Sequence, residues 1–254
     1  MPALTLSTDP LTSLPQWAGV RVVCSTRRGG VSRPPFDSLN LGDHVGDDPQ
    51  AVETNRRLLS AQWGMQAVFL KQVHGTELLE LGLQTPHGTE ADACWTSHRG
   101  LACTIMVADC LPVVFHHPTA GVVAAAHAGW RGLAAGVLEQ TLKGLETMGA
   151  LSALQVWLGP CIGPSFYEVG EEVKAKFMAH EMKAEKAFEA LPTPAKYLAN
   201  LPALAKQRLQ ACGVERIEGN DGTPAWCTFS QPQRFYSHRR DQRTGRFAVG
   251  IGLL

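Results

Sequence analysis

The sequence predicts an α/β domain built on a buried sheet, and three observations carry that reading. Three apolar runs of β type, residues 104–107, 113–115 and 122–126, crowd into one stretch of the chain. Leu133, Val137, Leu138, Thr141, Leu142, Leu145 and Met148 follow at helical spacing, and Gly149 stops them. A length of 254 residues suits one large α/β domain, with no repeat, low-complexity segment or boundary to divide it. The expected organisation is a single domain over 1–254, with 1–19 an N-terminal extension.

Composition narrows the function classes. Lys and Arg number 23, Asp and Glu 23, and the formal net charge is zero. Bulk attraction to nucleic acid or to an acidic membrane is therefore not expected. The first twenty residues lack a basic start and a continuous apolar core, so they do not read as a signal peptide. No later run is long enough to cross a bilayer. Seven cysteines form an odd set with no CxxC pair, and several sit in apolar runs as buried free thiols do. A reduced cytoplasm is the expected compartment.

Along the chain, 20–25 reads as a strand, and Thr26-Arg27-Arg28-Gly29-Gly30 as a basic turn. That turn either presents N–H groups and guanidinium to an anion or is a tight loop with solvated arginines. Asp48 caps a helix with Pro49 at its first position, and the helix ends before Gly64. Residues 68–73 form a strand closed by His74-Gly75, with 76–81 expected as its neighbour. Asp92, in a short strand at 91–95, either orients an imidazole or caps a turn. Gly129-Trp130-Arg131-Gly132 opens the next helix, which offers an anion its amides and Arg131 or is an ordinary turn over Trp130. A strand at 156–158 runs into the irregular loop Gly159-Pro160-Cys161-Ile162-Gly163-Pro164. Residues 169–190, rich in Lys, Glu and Ala, are expected to be one solvated helix. Asn200 caps a further helix that ends before Gly213. Short strands are expected at 227–230 and 235–236, then a basic knot at 237–241. The apolar tail 247–254 reads as a core strand rather than a partner surface, so a monomer or weak homodimer is expected.

Three polar residues close apolar strands: His74, Cys110 and His127. Two imidazoles and a thiolate suit zinc or copper, and three protein ligands leave a fourth position for water or substrate. A metal-free Cys110–His127 hydrolase remains an alternative, and so does a zinc-stabilised binding module.

Several motifs then point to one family. TRRGGVS (26–32), SLNLG (38–42), KQVHG (71–75), ADA (91–93), VADCLPV (107–113), AAHAGWRG (125–132), LGPCIGP (158–164) and YSHRRDQRTGR (236–246) occur in order. The chain resembles the YfiH family, also called the multicopper polyphenol oxidase or laccase-domain family. The resemblance implies a single α/β domain with central mixed β-sheets flanked by helices, a layered fold like that of cysteine hydrolases. It also implies one zinc on His74, Cys110 and His127. His238 departs from the tyrosine expected in the last motif, which leaves that side chain without an assigned role.

Family members are credited with phosphorolysis of adenosine, inosine and methylthioadenosine, and with deamination of adenosine. Nucleoside and phosphate are therefore the expected small-molecule partners. Deamination needs water of lowered pKa at C6 of adenine and an acid to carry the proton. Asp109 and Asp92 are the candidates. Phosphorolysis needs phosphate held beside C1′, for which Arg27, Arg131 and Arg246 are candidate holders, with Asn40 and Gln72 as hydrogen-bonding neighbours. Bacterial members are also described as editing misplaced serine in muropeptide precursors. Copper oxidase chemistry is disfavoured: nine histidines include no His-x-His pair, although a mononuclear site binds copper adventitiously in vitro.

Overall fold

The computed structural model describes residues 14–254. Most of the expected N-terminal extension, 1–13, lies outside them. Trp17 packs into the core and stacks on His116 at 5.9 Å. In chain order come β1 (Val20–Cys24), α1 (Pro49–Trp63), β2 (Gln66–Phe69), β3 (Leu78–Glu80), β4 (Ala93–Thr96) and β5 (Leu101–Val107). Next are β6 (Leu111–His117), β7 (Val122–Ala128), α2 (Trp130–Ala135), α3 (Val137–Glu146), β8 (Gln155–Leu158) and β9 (Glu168–Gly170). The chain closes with α4 (Glu171–Met178), β10 (Phe188–Ala190), β11 (Lys196–Ala199), α5 (Leu201–Ala211), β12 (Arg216–Gly219), α6 (His238–Asp241) and β13 (Phe247–Leu253).

Two mixed sheets make the centre. One has the order β1-β13-β5-β2, the other β12-β8-β6-β7-β4-β3. Strand residues alternate faces. On β6 and β7, Val114, Val123 and Ala125 meet Cys103, Ile105, Val249 and Ile251 of the smaller sheet. Val113, Phe115, Ala124 and Ala126 face the other way, onto Leu133, Leu138 and Leu142 of α2 and α3. Both faces are buried, which is why these strands read as continuous apolar runs. The outer face of the smaller sheet is covered by Leu59 and Trp63 of α1. A Cβ at Gly250 would lie 2.8 Å from the Trp63 ring, so glycine permits that close contact. The layers are therefore helix, sheet, sheet, helix: the α/β class that the sequence predicted, with the mixed sheets that the family resemblance implied.

Local signals hold where they are stereochemical. The Asp48 side chain accepts the Gln50 N–H, and Gly64 ends α1 at φ 66°. Asn200 caps α5 through the Ala203 N–H. Elsewhere the structure corrects the expectation. The helix expected from 133 starts at Trp130 and breaks at Gly136, whose φ of 101° suits glycine. Residues 78–80 do not neighbour β2; they join the other sheet beside β4. The expected helix 169–190 divides into β9, α4, a 3₁₀ segment (Met182–Ala187) and β10, because β11 pairs with both β9 and β10. Residues 227–230 and 235–236 are not strands. Arg240 donates to the carbonyls of Thr228, Phe229 and Phe235, occupying acceptors a ladder would need.

Candidate metal centre

Two loops and a strand end converge at one end of the sheets. His74 lies beyond β2 in the left-handed region, at φ 62°. Cys110 follows Asp109, itself at φ 98°, in the turn between β5 and β6. His127 sits near the end of β7, opposite Pro112 of β6. The ligand atoms of the three all lie within 4.8 Å of one another, and Cys110 Sγ is 3.8 Å from His74 Nε2. A tetrahedral zinc, about 2.0 Å from nitrogen and about 2.3 Å from sulfur, sets neighbouring ligand atoms about 3.3–3.6 Å apart. The donor set and its spacing therefore fit such an ion with small adjustments. His74 is exposed, Cys110 half-buried and His127 buried, so the cluster opens to solvent on one side. Among the described residues it is the one group of three or more His, Cys, Asp or Glu side chains so arranged.

Asp92 organises this cluster from behind. Its carboxylate is fully buried. Oδ2 accepts the N–H groups of Val73 and Gly75 at 3.0 and 2.7 Å, and Oδ1 accepts the His74 N–H at 2.9 Å. His127 Nδ1 lies 2.8 Å from Oδ1. An ionised carboxylate only accepts, so Nδ1 carries a proton towards Asp92 and Nε2 is the nitrogen turned to the cluster, free to ligate once its own proton is lost. Burial works against the charge on Asp92, but the His127 hydrogen bond and charge and the backbone donors hold its pKa below the usual carboxylate value.

The thiol and imidazole polarise each other. Burial opposes ionisation of Cys110, yet His127 and then His74 outweigh it and lower its pKa to about 6. Burial likewise disfavours His127 as a cation, while Cys110 and Asp92 raise its pKa to about 9. At neutral pH the cluster holds a thiolate, the form that ligates metal or attacks carbon. Glycine makes room for it. A Cβ at Gly129 would lie 2.9 Å from both Cys110 Sγ and His74 Cδ2, and one at Gly132 would lie 2.8 Å from the Gly75 carbonyl.

The other expected residues are distributed unevenly. Asp109 is beside the cluster, its carboxylate accepting the Thr228 hydroxyl and the Arg239 N–H, each at 2.6 Å. Arg246 is close enough for the charges of Cys110 and Asp109 to act on it, although burial still depresses its pKa. Its guanidinium donates to the carbonyls of Thr244 and Gly245. Arg131 is exposed, with its guanidinium 4.5 Å from the Trp130 ring centre. Asn40 is fully buried; its oxygen accepts the Gly42 and Arg246 N–H groups, and its amide donates to Gly42 and Asp47. Gln72 pairs both ways with the backbone of Met106. Arg27 binds the carbonyls of Asp37 and Pro232 and lines a separate hollow of about 280 Å³ with Arg28, Ser38 and Gln233. Sequence reasoning passed over Thr228, Arg239 and Tyr167. The motif around 236–246 was a signal for Arg239, but nothing in the string joins it to Asp109.

The family model described as multi-copper polyphenol oxidoreductase laccase matches residues 21–254. A purine nucleoside phosphorylase of Pseudomonas aeruginosa is 50% identical over 242 residues, covering 94% of this chain and 97% of that one. Purine nucleoside phosphorylase YfiH of Escherichia coli is 47% identical over 246 residues, covering 95% and 98%. Among solved structures, a Neisseria meningitidis protein of family DUF152 superposes with a TM-score of 0.89 at 40% identity, covering 95% and 97% of the two chains. YlmD of Geobacillus stearothermophilus gives 0.87 at 31% identity, covering 94% of each. With the motifs, the layered fold and these relatives in agreement, the chain belongs to the YfiH family of multi-copper polyphenol oxidoreductase laccase proteins.

Proposed function

We propose that this protein is a zinc-dependent purine nucleoside phosphorylase, with the metal on His74, Cys110 and His127. The observation that carries the reading is the convergence of these three ligand atoms, backed by Asp92, in a chain whose relatives are named for that activity. When bound, zinc supplies a Lewis acid in a site that leaves one position open.

The protein's own residues do the rest. Asp92 fixes the tautomer of His127, and its three backbone contacts fix the loop that carries His74. Phosphate attacks C1′ of the ribose as the bond to the purine breaks, and the base leaves with the electron pair. The proton the base takes up balances the one that hydrogen phosphate gives. Arg246, within electrostatic reach of Cys110, and Arg239, whose backbone N–H is held by Asp109 and whose guanidinium donates to the Glu168 carbonyl, are the arginines we assign to the phosphate. Arg131, exposed one residue after Trp130, adds positive charge at the start of α2. Asn40, Gln72 and Arg27 act through the scaffold. Deamination of adenosine is a second activity of the same centre; for it, Asp109 is the acid within reach, since Asp92 is sealed from substrate.

A specific observation favours a second reading. A thiolate paired with an imidazole of raised pKa is also the dyad of a cysteine hydrolase, suited to amide cleavage in a muropeptide precursor. The two separate by experiment. Metal content by mass spectrometry, for wild type and Cys110→Ala purified without added metal, is measured beside phosphate-dependent release of hypoxanthine from inosine. About one zinc per wild-type chain, lost in the variant, and activity abolished by chelator support the phosphorylase. Cleavage of the muropeptide amide that persists in metal-free protein and dies on thiol alkylation, with no release of hypoxanthine, supports the hydrolase. Multicopper chemistry lacks ligands: blue oxidases need several copper sites, and the described residues offer one three-residue cluster.

A further inference from the structure

We propose that Phe166, stacked on Phe229 where two loops are bonded to Asp109, is the shelf on which the purine base lies. The inference rests on the phosphorylase reading and names the residue that recognises the base. Phe166 is 40% exposed, one of few large apolar side chains left open among the described residues. A lone exposed phenylalanine needs no explanation. This one is different: its ring packs flat on Phe229, with centroids 4.6 Å apart and planes 17° from parallel. One face of the stack is thus held and the pair still presents area to solvent.

The stack is tied to the cluster at both ends. Phe229 follows Thr228, whose hydroxyl donates to Asp109, the residue before Cys110. The loop that leads into Phe166 is held to the same residue, the Ile162 N–H donating to the Asp109 carbonyl at 2.9 Å. The Arg239 guanidinium lies 5.3 Å from the Tyr167 ring centre, and the Arg239 N–H is on Asp109. The shelf is also rigid. Phe166 ends a 3₁₀ turn (Pro164–Phe166) whose preceding Gly163 donates its N–H to Cys227 Sγ at 3.2 Å, and the Phe166 N–H returns to the Gly163 carbonyl.

A flat, rigid aromatic face near a centre that cleaves a purine glycosidic bond is matched by the heterocycle itself. Stacking does not depend on ring substituents, because every base has a π-face. The shelf would therefore accept adenine and hypoxanthine alike, leaving phosphate recognition to the arginines.

The test compares Phe166→Ala, Phe166→Leu and Phe166→Trp with wild type in metal-loaded protein. The KM for inosine and adenosine is expected to rise about 5- to 150-fold in Phe166→Ala. The KM for phosphate, the zinc content and the melting temperature stay as in wild type. Phe166→Trp restores the nucleoside KM, and Phe166→Leu, apolar but without a π-face, does not. An unchanged nucleoside KM in Phe166→Ala, with wild type active, overturns the shelf. If wild type cleaves no nucleoside, the phosphorylase reading fails by itself. Calorimetric titration with inosine then decides the shelf: binding to wild type that is lost in Phe166→Ala supports it, and no binding to wild type overturns it.

Discussion

Asp92→Asn is the sharpest test of how the centre is built. The native carboxylate accepts four donors, two on each oxygen: Val73 and Gly75 N–H on one, His74 N–H and His127 Nδ1–H on the other. An amide replaces one oxygen by a donor, so two of the four bonds become donor-to-donor contacts whichever way it turns. If the NH₂ faces His127, the imidazole must accept at Nδ1 and carry its proton on Nε2, the nitrogen we propose for the metal. If it faces Val73 and Gly75, the loop holding His74 at φ 62° loses its pins. Hydrogen bonds to a charged group contribute about 1.5–3 kcal/mol each, so losing two costs about 3–6 kcal/mol. For a chain of this size that is a fall in Tm of about 6–24 °C. Metal affinity should fall about 10- to 100-fold, as when a histidine ligand loses its orienting carboxylate. Thermal unfolding in chelator and zinc competition with a chromophoric chelator read the two effects. A variant matching wild type in both would refute the claim that Asp92 organises the cluster.

Three further outcomes follow from the same geometry. Alkylation of Cys110 in metal-free protein should rise with pH around a midpoint near 6 rather than the ordinary thiol value, because His127 and His74 favour the thiolate; a midpoint near that of free cysteine, read by mass spectrometry of the labelled peptide, would contradict it. Gly129→Ala forces a methyl to 2.9 Å from Cys110 Sγ and His74 Cδ2. It should release zinc and cost about 1–3 kcal/mol in denaturant unfolding; full metal occupancy in the folded variant would count against the close approach. Arg240→Ala strips the carbonyls of Thr228, Phe229 and Phe235 of their donor. A Tm unchanged in that variant would show that the 228–235 loop is held by other means, whereas loss of about 3 kcal/mol is expected.

How much of this was legible in the string depends on the range of the interaction involved. The Asp48–Pro49 start of α1 and the Asn200 start of α5 are set by neighbours within three residues, and both were readable. The segment 169–190 was not. Its Lys, Glu and Ala content favours helix locally, but β11 comes later in the chain and captures both ends of that segment as strands. Residues 78–80 show the same limit: a strand pattern says nothing of which sheet takes the strand.

The centre divides along the same line. His74, Cys110 and His127 were visible because a polar ligand type interrupts an apolar run, a signal that needs no partner. Their support was invisible because it is tertiary. Asp92 had two open readings, an imidazole orienter or a turn cap, and the structure gives it both tasks at once: it binds His127 and pins the 73–75 turn. Asn40 and Gln72 carry the same lesson from the other side. Their motifs marked them, yet the amide of Asn40 ties Gly42 and Asp47 to the Arg246 backbone, and that of Gln72 ties its own loop to the end of β5. A motif residue here often holds the walls of the site rather than its contents. Thr228 and Arg239 do so around Asp109, which must stay at φ 98° to aim Cys110. Breaking either contact should therefore loosen the thiolate before it touches any substrate, and Thr228→Val should weaken zinc binding while leaving every predicted ligand in place.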